Sequence, residues 1–230
     1  MIYALIRKDL RLCRLPLVVM LCMLMACLAI AWALMSTTAL RDTGLASAVG
    51  FVLVVGTRFA GIVATGVLAV ISGMIFATER ADRSAEFLAY LPPSKAMVLL
   101  SKFLVVAGCL LIVWAGPTIV ATVAESIGGS TDAATEVLKG QPNSSQYMPL
   151  AIMFMGIGWC SSAFLSSTGP PVALSFMSPL ALGGALACSQ SLVGWPAQNV
   201  YAEVYSALCA VLGCIAFLTG TIYFLNRVEP

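Results

Sequence analysis

The chain has 230 residues, 60% of them hydrophobic and only 10% charged, with 12 basic and 10 acidic side chains and no histidine. Soluble domains average about 45–50% apolar and about 25% charged, so this balance excludes a water-soluble globule, and a net charge of +2 is too small to suggest a nucleic-acid partner. Without histidine the commonest general base and zinc ligand are missing, and no G-x-x-x-x-G-K-[ST] loop is present to cradle a phosphate. Apolar runs of about 20 residues match a hydrocarbon layer roughly 30 Å thick, where a helix satisfies its own backbone. The composition predicts an all-α polytopic membrane bundle of six transmembrane helices in one domain, 1–230.

The first 14 residues, MIYALIRKDLRLCR, place Ile2, Leu5, Ile6 and Leu10 at helical spacing, with Arg7, Lys8, Arg11 and Arg14 around the other side. That pattern predicts an interfacial elbow helix over 1–15, its cations towards anionic headgroups. Pro16 marks a break before a first span at 17–35. The uncharged run of 15–40 exceeds the core of a cleaved signal peptide, so this span is expected to stay in the mature protein.

The second span falls within 51–76 and carries Arg58, the only charge expected at membrane depth, near enough to the outer interface to snorkel. Gly56, Gly61, Gly66 and Gly73 along it would allow close helix approach. A charged hairpin over 78–95 follows. The stretch ATERADRSAEFLAYLPPSKAMVLLSK at 77–102 holds seven of the 22 charged residues between two spans. A short helix is predicted from Glu79, pairing Glu79 with Arg83 at i, i+4 and ending at Pro92-Pro93, after which Ser94 caps the third span at 97–120. Lys102 lies near the inner end of that span, and Pro117 is expected to kink or end it.

A polar external loop is expected over 124–146. No charge occurs between Lys139 and Glu203, room for spans at 148–165 and 172–189 divided by Gly169-Pro170-Pro171. The segment 191–203 is expected to lie in or dip into the interface, anchored by Trp195 and Tyr201, before a sixth span at 204–225. Seven of the eight cysteines sit in apolar runs and none forms a C-x-x-C, which reads as small buried hydrophobes.

Six crossings put both termini and the charged hairpin on one side with nine of the twelve basic residues. By the positive-inside rule that side is cytoplasmic. No Asp or Glu falls within a predicted span, which argues against a proton-relay carrier.

The basic elbow MIYALIRKDLRLCR and the stretch TERADRSAEFLAYLPPSKAMVLLSK together resemble the membrane subunit of an ATP-binding-cassette transporter of the type-2 export class. In that family an acidic-basic cluster after the second span leads to Leu-Pro, a serine with a basic residue, and a lysine opening the third span. Here those positions are Glu79, Glu86, Phe87, Leu88, Leu91, Pro92, Ser94, Lys95 and Lys102. The resemblance implies a half-transporter in the inner (cytoplasmic) membrane. It would be a homo- or heterodimer with a second permease subunit, seated on a separate cytoplasmic ABC ATPase that carries the ATP and Mg. The chain itself would be no enzyme and hold no cofactor. Carried over, Arg7, Lys8 and Arg11 in the elbow and Glu79, Asp82, Arg83, Glu86 and Phe87 in the coupling helix would contact that ATPase. Members commonly have a re-entrant hairpin before the last span, and 191–203 is short for one.

Arg58, Thr65, Ser161 and Ser162 are the candidate translocation-path residues. The alternatives are an ATP-independent channel or facilitative carrier, lined by Thr57, Thr65, Ser72, Ser161, Ser162 and Thr219, and the haem-export membrane subunit of cytochrome maturation. The lack of histidine counts against the last.

Overall fold

The computed structural model describes residues 2–37, 45–81, 94–128, 144–193 and 198–226, all helical apart from short turns. Among the described residues eight helices follow in order: α1 (Ile2–Leu12), α2 (Arg14–Thr37), α3 (Leu45–Met74), α4 (Ala77–Ala81), α5 (Lys95–Gly128), α6 (Ser144–Phe164), α7 (Gly169–Val193) and α8 (Gln198–Asn226). Among the described residues five helices are long and apolar enough to cross a bilayer, and six when the N-terminal pair, bent by 54°, counts as one span.

That bend falls at Cys13 rather than at Pro16. A proline ring clashes with the carbonyl four residues back and lacks an N–H, both harmless in a first turn. Pro16 therefore sits inside the start of α2, and the break moves back to Cys13. The same logic places Pro170 and Pro171 in the first turn of α7, which opens at Gly169, and the expected division between the two spans falls just before them at 165–168. Deeper in α7, Pro179 cannot donate to the Ser175 carbonyl, and the Ser178 hydroxyl donates to it instead at 3.0 Å. Helix α5 passes Pro117 and runs on to Gly128, and α8 begins at Gln198, six residues before the predicted sixth span. Ser191–Val193 is thus the end of α7 and Gln198–Glu203 the start of α8, with 194–197, including Trp195, outside the described residues.

Helix α6 is the hub, packing against α3, α7 and α8. Its approach to α8 is set by glycine. A Cβ on Gly156 would lie 1.9 Å from the Gly213 carbonyl oxygen, and one on Gly220 would lie 2.7 Å from Cys160 Cα, so the two backbones touch. On another face, a Cβ on Gly158 would strike Ser72 Oγ and Ser175 Oγ, where α3, α6 and α7 meet. Gly73 is pressed against Val172, and Gly61 against the Tyr147 ring. The side chains of α2 are mostly exposed, Leu15, Leu21, Met25, Ile30 and Trp32 among them. In a bilayer that face meets lipid.

The direction of the chain follows from its contacts. Phe76, just after α3, meets Phe224 near the end of α8 at 4.9 Å, and Phe164 at the end of α6 meets Tyr223 at 3.9 Å. At the opposite end, the Tyr201 and Tyr205 hydroxyls of α8 donate to the Gly183 and Pro179 carbonyls of α7. The end of α8 therefore returns to the end of the bundle where α1 lies, as six crossings require.

Candidate functional site

Four charges converge where α1 crosses α5 and where α3 breaks into α4. The break is built locally. Thr78 Oγ1 donates to the Met74 carbonyl at 2.9 Å, and the chain turns through Ile75 and Phe76, so that the Ile75 carbonyl lies just past the end of α3. Lys102, two turns into α5, donates to that carbonyl at 2.8 Å. Its ammonium thus sits on the negative end of the α3 dipole.

The same Nζ lies 2.9 Å from Glu79 Oε2 of α4 and 3.6 Å from Asp9 Oδ1 of α1, and 5.2 Å from the centre of the Phe76 ring. Lys102 is wholly buried, with 0% of its surface exposed. Asp9 accepts a further bond from Ser101 Oγ at 2.8 Å, and Lys8 is ion-paired to Glu79. Two lysines against two carboxylates make the cluster neutral. A buried charge without compensation is heavily penalised, and here each one has a partner of opposite sign. Burial pushes the Glu79 carboxyl up, but the Lys102 ammonium and the Lys8 bond outweigh it and hold the group below the ordinary carboxylate range.

Phe76 carries the cluster into the core. Its ring meets Trp159 edge-on at 4.7 Å, Trp159 meets Phe217 at 5.0 Å, and Trp159 Nε1 donates to Thr221 Oγ1 at 3.2 Å. A displacement of α1 or α4 therefore has a continuous packed path, through Lys102 and Phe76, into α5, α6 and α8. This arrangement is suited to holding and moving helices.

Of the partner-contact residues expected from sequence, Lys8 and Glu79 come together in this cluster, with Glu79 buried, while Arg7 and Arg11 are exposed on α1. Asp82, Arg83, Glu86 and Phe87 lie outside the described residues, as does the side chain of Arg58. Among the described residues, a wholly buried charge within an apolar helix is Lys102, in the span Lys95–Ile112. Among the candidate path residues, Thr65, Ser161 and Ser162 are buried inside the bundle. Thr65 Oγ1 donates to the Ile62 carbonyl of its own helix, Ser161 Oγ to Ile157, and Ser162 Oγ reaches across to the Ser72 carbonyl at 3.1 Å. Ser162 thereby ties α6 to α3. The capping role of Ser94 is seen in the Met97 N–H directed at its hydroxyl, 3.4 Å away.

Sequence reasoning missed Asp9, Ser101 and the convergence on Lys102. The available signal was Asp9 itself, four residues after Leu5 and four before Cys13, an acid on the apolar stripe of a basic helix.

Among the described residues the chain is an all-helical, multi-pass membrane bundle with an amphipathic elbow and a charged joint after its second long helix. Residues 14–183 match the ABC-2 family transporter protein, and the chain belongs to that family as a membrane permease subunit of an ABC-2 type transporter. The match begins after α1 and ends within α7, so Lys8 and Asp9 precede it. No curated protein and no solved structure matches the chain.

Proposed function

We propose that the chain is the permease half of an exporter, driven by a separate cytoplasmic ATPase that binds ATP and Mg. The observation that carries this reading is the buried cluster of Lys102, Glu79, Asp9 and Lys8, which joins the elbow and the segment after the second long helix to the third. A partner pressing on either element moves a long helix. Exposed Arg7 and Arg11, with Lys8 at the edge of the cluster and Asp82, Arg83, Glu86 and Phe87 beyond α4, form the proposed ATPase contact. Glu79 supports that surface from inside. The excess of basic residues on α1, after α3 and at the start of α5 supports a cytoplasmic placement of that end and of both termini in the inner membrane.

A second permease copy, identical or related, completes the translocation path. Since Thr65, Ser161 and Ser162 are buried within one subunit and Ser162 ties α6 to α3, the path runs between subunits and reaches these hydroxyls only if α3 and α6 part. Purification of the chain with its native partners and assay of ATP hydrolysis tests the proposal. A vanadate-sensitive ATPase subunit at near-equal stoichiometry is expected, and its absence from a folded preparation removes the driven-exporter reading.

A further inference from the structure

Net stability does not explain the ion cluster, because a buried set of paired charges is often no more stable than well-packed apolar residues of the same volume. What it does supply is geometric uniqueness. Lys102 has one set of partners that satisfies it: a carboxylate from α1, a carboxylate from α4 and the terminal carbonyl region of α3. Apolar surfaces can slide past one another, but this arrangement has one register. Ser101, the preceding residue on α5, fixes the second oxygen of Asp9, so α1 is held at two points.

We infer that Lys102 is a positioning residue of the transport cycle, the pin that makes α1, α4 and the first turns of α5 move as one body. The inference rests on the reading that a nucleotide-driven partner presses on α1 and on the segment after α4. It goes further in naming the residue through which that force enters the third long helix. Without the pin, α1 and α4 would still bind the partner and still respond to nucleotide, but α5 would not follow.

The test uses the full chain in lipid nanodiscs, alone and copurified with its ATPase, read by amide hydrogen exchange with and without Mg-ATP and vanadate. The triple variant Lys102→Met, Glu79→Gln, Asp9→Asn removes the pin without leaving an uncompensated buried charge. In the wild-type chain alone, α1, α4 and 95–106 should open together, with protection equal within about threefold. In the triple variant α1 and α4 should exchange at least about tenfold faster than 95–106. In the complex, nucleotide should change protection of α1 in both proteins, and of 95–106 in the wild type only.

A triple variant that keeps the shared protection, or one that passes the nucleotide response into 95–106, overturns the proposal. Should the triple variant not fold, Ser101→Ala gives the graded form, and exchange of α1 should rise about fivefold. Unchanged exchange there overturns it equally. If no ATPase copurifies, the driven-exporter reading fails, while the exchange of the chain alone still decides whether Lys102 pins the three helices.

Discussion

The substitution Lys102→Met asks the most of the buried cluster. It puts an uncharged side chain of similar length in place of the ammonium, which takes the Lys102 charge away from both Glu79 and Asp9 while Lys8 still faces Glu79 and the Ser101 hydroxyl still donates to Asp9. At an effective dielectric constant of about 20, attractions at 2.9 Å and 3.6 Å are worth about 6 and about 5 kcal/mol. The removed ammonium also escapes a desolvation penalty of several kcal/mol, which offsets much of that sum. Breaking one partner out of a buried pair costs about 3–5 kcal/mol net. For a chain of this size each kcal/mol shifts the melting temperature by about 2–4 °C, so Lys102→Met should melt roughly 6–20 °C below wild type. Thermal melting in detergent followed by size-exclusion recovery measures this. Adding Glu79→Gln and Asp9→Asn should restore most of the loss, because both buried carboxylates are then neutral and the remaining charge, Lys8, is partly exposed. A Lys102→Met protein melting within about 2 °C of wild type would refute the account of the cluster as a compensated buried ion set.

Gly156→Ala places a Cβ 1.9 Å from the Gly213 carbonyl oxygen and should force α6 from α8, costing about 1–3 kcal/mol or more. Gly184→Ala meets nothing within 4 Å and should melt like wild type in the same assay. Because the Glu79 carboxyl is held below its ordinary value, its contribution is fully present above about pH 4.3 and is lost as pH falls below that. Limited proteolysis of α1 should therefore stay flat from neutral pH down to that point and then rise, and Glu79→Gln should abolish the rise. Trp159→Phe leaves the Thr221 hydroxyl without its indole donor and should cost about 1–2 kcal/mol. Thr221→Val should cost a similar amount, and the double variant less than the sum.

Much of the fold was legible because the bilayer imposes one length scale on the sequence. Apolar runs located every long helix, and the basic residues gathered at one end. Helix ends were less legible: α5 reaches Gly128 and α8 starts at Gln198 because backbone hydrogen bonding continues past the apolar band that hydropathy reads. A proline misled at Pro16, where a first-turn position tolerates the ring, and α5 does not end at Pro117. The site was half legible. Glu79 and Lys8 stood out as charges, but their meeting joins residues 71 apart in sequence, and Ser101 reaches Asp9 across 92. No local period records such a pairing. The helical period of α1 pointed to Asp9 only as an acid on the wrong face, and a partner four helices further along the chain was needed to give that misfit a reason.

The bend at Cys13 has a consequence for how the chain is made. Asp9 emerges from the ribosome 92 residues ahead of the Ser101 hydroxyl that will hold it. At synthesis rates of about 5–20 residues per second, the acid waits on the order of 5–20 s at the headgroup layer before its pocket exists. During that interval α1 is held through α2 and, once α4 has been made, through the Lys8–Glu79 pair, and the arrival of the third long helix adds the Ser101 and Lys102 contacts that lock it.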